Sequence, residues 1–209
     1  TQDELRDRVV PWLGFTPGAP RIVDCAGKLV EVRIGLDFSV EYRDVKTGKP
    51  VRSLPKTVLA ETAAELAELK SMLKEAASAQ SLRLQNLLVV AHRWSVDLFR
   101  ERFLVHPLLF PFTVRLVWGG YDEHGTLVRA FRARASDSVL VDVAGQEIGD
   151  AVFAAVGMVH PLELAADALA AWRTALSAAG VTQPQPLVQL DRPVLRLGAD
   201  KEEMDAYTA

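Results

Sequence analysis

Leu29-Val30-Glu31-Val32-Arg33-Ile34-Gly35-Leu36-Asp37-Phe38-Ser39-Val40-Glu41-Tyr42 is the stretch that decides the fold class. Apolar side chains occupy the even positions from Val30 to Tyr42. Glu31, Arg33, Asp37, Ser39 and Glu41 take the odd ones. A period of two places one row of side chains in a core and the other in water, which predicts a half-buried strand pair. Gly35 supplies the bend or bulge between the two strands. Asp44 to Lys49, with Gly48, reads as the next turn, and Val51 to Leu54 as a short strand ending at Pro55.

Outward from this pair the period changes. Ala60 to Trp94 contains neither Gly nor Pro, and Leu66, Leu69, Leu73, Ala76, Leu84 and Leu87 recur at helical steps. Glu65, Glu68, Lys70 and Lys74 fill the other side. The pattern predicts one long helix, or a helical pair broken at Ser78–Ser81, where serines and Gln80 interrupt the apolar face. Ser95 reads as the N-cap of a second helix that stops before Pro107.

Strand signals then return. Phe112 to Trp118 and Leu127 to Arg134 predict a hairpin, with Trp118-Gly119-Gly120 at its bend. Ser138–Val143 and Ala151–Val159 predict further strands. Pro161 to Ala179 predicts an amphipathic helix with Leu162, Ala165, Leu169, Trp172 and Leu176 on one stripe and Gly180 after its end. Asp3 to Leu13 predicts a short helix, and Leu187 to Leu197 an extended, edge-like segment. Strands and helices segregate, so the expected class is α+β with antiparallel sheet. One domain over residues 1–209 is expected, with a β-rich lobe at 1–56, a helical lobe at 57–110, a mixed lobe at 111–197 and an acidic tail at 198–209.

With 209 residues, 49% of them hydrophobic, the chain can bury a core without cross-links. Its single cysteine, Cys25, excludes an internal disulfide and a cysteine zinc cluster, and fits a reducing cytoplasm. The longest apolar run, Ala151 to Val159, is too short to span a bilayer. A chain beginning at Thr1 rather than Met reads as a piece of something longer. Residues 1–56 hold ten Lys/Arg against eight Asp/Glu, residues 57–110 six of each, and residues 111–209 eight against thirteen. Phosphate neutralisation needs clustered positive charge, which is missing, so nucleic acid is not an expected direct partner.

Eight residues are candidates for binding. His160, before Pro161-Leu162-Glu163, reads first as the cap of a helix whose opening turn uses Pro161 and Glu163; the alternative is an imidazole at a helix N-terminus, where backbone donors attract anions and lower its pKa. His92-Arg93-Trp94 closes the long helix, with Arg93 able to stack on Trp94. Arg132 and Arg134 share one strand face as a carboxylate clamp, or as the charges that protect an edge. Gln183-Pro184-Gln185-Pro186 and Gln189-Leu190-Asp191-Arg192-Pro193 form the least ordinary segment, in which Gln183, Gln189 and Arg192 stand out. Prolines enforce extended backbone there, and glutamines can satisfy buried carbonyls. His92, His106, His124 and His160 lack metal-ligand spacing, and no phosphate loop, nucleophile elbow or Cys/His dyad is present, so no metal or cofactor is expected.

The ordered set Gly48-Lys49, Leu54-Pro55-Lys56, Arg93-Trp94, His106-Pro107, Leu116-Val117-Trp118-Gly119, Gly157-Met158-Val159-His160-Pro161-Leu162-Glu163-Leu164, Gln183-Pro184 and Arg192-Pro193 resembles the MolR-type domain of unknown function. Gln185-Pro186 departs from the Pro-Phe usual there. That resemblance implies the C-terminal part of a long bacterial protein that often carries a WGR module, although Gly120 stands where that module has arginine. It also implies protein partners within a MoxR-type ATPase and von Willebrand A-type system. The expected function is a non-enzymatic interaction or regulatory module of a larger cytoplasmic protein. The alternative is an anion- or nucleotide-binding domain, with catalysis left open, built on His160, Arg132 and Arg192.

Overall fold

The computed structural model describes residues 12–16, 19–55, 57–149, 153–183 and 189–190. The helix expected at Asp3–Leu13 therefore lies almost wholly outside the described residues, as do Arg192 and all of Leu187–Leu197 except Gln189 and Leu190, which form a turn. The described residues fall into two compact units. One runs through Gln80 and takes in Val105–Pro111; the other comprises Ser81–Leu104 and the residues from Phe112 onward. The class is α+β with antiparallel sheets. Among the described residues no helix is long and apolar enough to cross a membrane.

The first unit carries a four-stranded meander, β1 (Arg21–Cys25), β2 (Lys28–Ile34), β3 (Val40–Asp44) and β4 (Pro50–Val51), in sequence order. The alternation read from the sequence places Val30, Val32 and Tyr42 on the buried face, where β1 adds Val23 and Cys25. Leu66 and Leu69 of helix α1 (Ala60–Val89) cover that face. Each such fully buried side chain contributes about 1.5–3 kcal/mol. Leu36 and Phe38 do not extend the strands: they sit in the β2–β3 turn, with Leu36 exposed and Phe38 at φ 62°. The Asp37 carboxylate holds that turn by accepting the Ser39 N–H at 2.9 Å.

Helix α1 is continuous, with no break at Ser78–Ser81. Gln80 and Ser81 are themselves buried, in step with Leu73, Ala77, Leu84 and Leu88. A single uninterrupted buried stripe outweighs the few tenths of a kcal/mol per residue by which serine disfavours helix. The helix ends before His92. Ala91 turns left-handed at φ 49°, and Arg93–Trp94 form a short strand, β5, rather than a helix terminus.

In the second unit a five-stranded sheet has the order β5-β9-β6-β7-β8, with every pairing antiparallel: β6 is Trp118–Tyr121, β7 Leu127–Ala133, β8 Leu140–Val141 and β9 Ala155–Met158. β8 and β9 are thus shorter than the expected strands at 138–143 and 151–159. Ser95 caps α2 (Val96–Phe99) by accepting the Leu98 N–H, and α2 runs on into a π-helical turn (Arg100–Leu104). Phe110–Thr113 is a short helix, α3, so the first strand of the expected hairpin begins later, at Trp118.

Trp118-Gly119-Gly120 is therefore strand, and the bend lies at 122–126. The glycines are needed for packing. A Cβ on Gly120 would stand 2.3 Å from the Phe153 ring, and one on Gly119 would stand 2.5 Å from Leu127. Around Trp118 the rings of Trp94, Phe99 and Phe103 gather at 4.9–5.9 Å. Tilted arrangements of this kind suit the ring quadrupoles.

Pro161–Glu163 is a single 3-10 turn, and α4 (Ala166–Ala178) begins after Leu164 returns to extended backbone. Leu169, Trp172 and Leu176 of α4 pack on Val117, Val159 and Leu190. The end of α4 is a Schellman motif: Gly180, at φ 65°, donates to the Ser177 carbonyl at 3.0 Å and Val181 donates to that of Leu176 at 2.9 Å.

Candidate functional site

In the second unit a part-buried ion pair and a buried phenol come together where β5, β6 and the 3-10 turn meet. The turn opens with a capping box. His160 Nδ1 accepts the Leu162 N–H at 3.3 Å, and Glu163 Oε2 accepts the His160 N–H at 2.8 Å. The same Oε2 accepts the Tyr121 hydroxyl at 3.0 Å across 42 residues of sequence. Glu163 Oε1 faces Arg93 Nη2 at 3.7 Å, and the Arg93 guanidinium carbon lies 3.8 Å from the centroid of the Tyr121 ring.

Two glycines make room for Arg93. Gly157 is its partner across β5–β9, and a Cβ there would press on Arg93 Cγ at 3.2 Å. A Cβ on Gly125 would sit 2.5 Å from Arg93 Nη1. Burial first, and then the Glu163 carboxylate, raise the Tyr121 phenol well above its ordinary pKa. The phenol therefore stays protonated as a donor to Glu163. The phenol is hydrogen-bonded to the carboxylate and the cation lies beside both, so the cluster acts as a three-way clasp between elements.

The sequence candidates separate into distinct places. His160 and Arg93 meet at this clasp through Glu163. Trp94 is buried in the aromatic core, and His92 meets its ring edge-on at 4.8 Å. The expected stacking of Arg93 on Trp94 is replaced by Tyr121, because the two residues, neighbours on one strand, point to opposite faces. Of the two readings of His160, the cap forms and the anion site at a helix N-terminus does not. His160 leads into one 3-10 turn only, and the first N–H groups of that turn already bond His160 Nδ1 and the His160 carbonyl.

Gln189 and Gln183 belong to a second cluster. Gln189, fully buried, accepts the Val117 N–H at 2.8 Å and donates to the carbonyls of Val117 at 2.6 Å and Val159 at 2.7 Å. These two residues flank β6 and β9 where their ladder runs out, so one amide side chain stands in for a further strand. Gln183 Oε1 accepts the Leu190 N–H at 2.9 Å, and the Arg173 guanidinium donates to the Leu190 carbonyl.

Arg132 stands apart. The expected clamp with Arg134 does not form, because Arg134 is committed to Asp137 and Glu147 at 2.9 Å. Half-buried Arg132 makes no hydrogen bond or ion pair among the described residues. Burial, and then the like charge of Arg134, push its guanidinium below the usual arginine value. Among the described residues no group of three His, Cys, Asp or Glu side chains could hold a metal.

Glu163 and Tyr121 are not among the sequence candidates. The capping-box spacing His160-x-x-Glu163 is a usable signal for the first. Nothing local marks Tyr121, whose partner is remote in sequence.

The model of a family described as Domain of unknown function (DUF4132) matches residues 48–208. This chain belongs to that family. Uncharacterized protein YehI of Escherichia coli (strain K12) is 29% identical over 176 residues, which cover 80% of the chain and 14% of that relative's length. No solved structure matches the chain. These findings overturn the resemblance to a MolR-type domain, since neither the DUF4132 family nor the relative points to one. Dipeptides such as His-Pro and Gln-Pro, even in order, are too short to separate one family from another. The WGR association and the ATPase system inferred from that resemblance lose their warrant with it.

Proposed function

We propose that this DUF4132 region is a non-enzymatic interaction module of a larger protein, and that the β7 face around Arg132 receives an acidic side chain from a protein partner. The observation that carries this reading is the Arg132 guanidinium, half-buried and without an anionic partner among the described residues. Partial desolvation of an uncompensated charge is unfavourable and is relieved when a carboxylate arrives. Arg134, two residues on, shows what compensation looks like on the same hairpin: two carboxylates at 2.9 Å. The clasp at Arg93, Tyr121 and Glu163, in which the cation already has a carboxylate beside it, supports a framework role for those residues.

The test pairs affinity with stability. A short Glu-rich peptide should bind the chain with a salt-sensitive affinity, and Arg132→Gln should weaken it roughly tenfold, about 1.4 kcal/mol. Arg129→Gln, on the same strand but exposed, should change it little. The unbound Arg132→Gln chain should be at least as stable as the parent, because an unpaired charge has been removed. Unchanged peptide affinity in Arg132→Gln sinks the reading. Stabilisation by ATP or inorganic phosphate, lost in the same variant, would replace it with the anion-binding alternative.

A further inference from the structure

We propose that the groove beside the C-terminal end of α4 is a binding site for a small branched aliphatic carboxylate. Its volume is about 320 Å³, and its walls are Arg173 and Ser177 of α4 with Val181, Thr182, Gln183 and Leu190. That size lies at the lower end of small-molecule sites and fits a ligand of amino-acid dimensions. The groove is separate in its residues from both the clasp and the Arg132 face.

The decisive group is Gln183, only 8% exposed. Its orientation is fixed, since the Leu190 N–H it receives at 2.9 Å can be accepted only by the amide oxygen. The amide nitrogen, with two hydrogens to give, is buried and has no hydrogen-bond partner among the described residues. A buried donor left unmet costs about 1–3 kcal/mol, so native structures rarely keep one without a purpose. A small shift of the Gln183 side chain would open this nitrogen to an acceptor oxygen at that end of the groove.

The rest of the lining narrows the acceptor's chemistry. Arg173, anchored to the Leu190 carbonyl, sets a positive charge on the wall, which favours a carboxylate over a neutral carbonyl. Among the described lining residues none is acidic. Leu176, Val181 and Leu190 give apolar surface that suits a short branched chain, and the Ser177 and Thr182 hydroxyls can take up a remaining polar group.

The experiment follows the Gln183 side-chain amide and the Leu190 backbone amide by nitrogen–proton NMR while N-acetyl-leucine is added to the chain. Both signals should shift saturably, and N-acetyl-leucinamide should bind roughly tenfold more weakly because it lacks the charge. Gln183→Glu still accepts the Leu190 N–H but loses the donor and repels a carboxylate, so binding should fall at least about tenfold. Ser177→Trp fills the groove from an exposed helix position without touching Gln183, and should abolish binding even if Gln183→Glu fails to fold. A peptide ending in a leucine carboxylate that binds more tightly than N-acetyl-leucine assigns the site to a chain terminus; equal binding assigns it to a free carboxylate. Unmoved Gln183 signals, equal affinity for acid and amide, or undiminished binding in Ser177→Trp would overturn the proposal.

Discussion

In the sheet β1–β4 each strand pairs with its neighbour in sequence, and the turns are closed by the aspartates within them: Asp24, Asp37 and Asp44 each accept backbone N–H groups two or three residues on. In the sheet β5-β9-β6-β7-β8 the central strands come from distant parts of the chain, and the fastenings are long-range. Gln189 reaches 72 residues back to Val117, and Tyr121 reaches 42 forward to Glu163. The first sheet is specified by an alternation any strand could carry. The second depends on individual residues whose partners are fixed only once the chain has folded, the kind of topology that pays loop-closure entropy early.

That contrast can be broken most forcefully at glycine. Gly120→Ala places a methyl group 2.3 Å from the Phe153 ring and should destabilise the chain by about 3 kcal/mol in urea denaturation. Gly35→Ala meets only the flexible carboxylates of Glu41 and Asp37, at 2.6 and 2.9 Å, and should cost less than about 1 kcal/mol. Equal losses would erase the distinction between the sheets. The next comparison sets the buried amide against a part-buried hydroxyl. Gln189→Leu strands the Val117 N–H and the Val159 carbonyl and should cost about 2–4 kcal/mol. Thr57→Val, which removes one hydrogen bond of 3.1 Å to the Cys25 carbonyl, should cost about 1 kcal/mol by the same measurement.

The smallest effects are titrations of opposite sign. Tyr121 has a raised pKa in the fold, so its contribution is complete below the unfolded value of about 10 and declines as pH rises above it. Tyr121→Phe should flatten that alkaline slope in a stability profile. Asp44, lowered chiefly by the Thr47 backbone hydrogen bond, contributes above its unfolded value near 4 and loses that contribution as pH falls. Asp44→Asn should flatten the acid limb, by less, because the carboxylate is exposed to water. A Tyr121 phenol that ionises with the other tyrosines in an ultraviolet titration would sever the clasp from the stability of the second sheet.

The same contrast explains what can be read from the sequence. Val30, Val32 and Tyr42 show their burial through local alternation, and α1 through its stripe of leucines. Arg21–Cys25 escapes notice as a strand because its buried pair, Val23 and Cys25, is too short a run to show a period. Trp118-Gly119-Gly120 reads as a bend because glycine in a strand looks like punctuation until Phe153 is seen above it. Gln183 and Gln189 can be suspected of satisfying backbone groups. Which groups they satisfy is a fact of the tertiary structure, as is the isolation of Arg132 from any carboxylate among the described residues.

The position of Gln189 has a practical corollary for anyone choosing where to end an expressed form of this region. An expression fragment that stopped at the end of α4, where helix and sheet are nominally complete, would lack the amide that seals the ladder beside Val117 and Val159. It would also lack Leu190, which α4 packs against. Such a fragment should precipitate or be degraded, whereas one extended past Leu190 keeps its closing stitch.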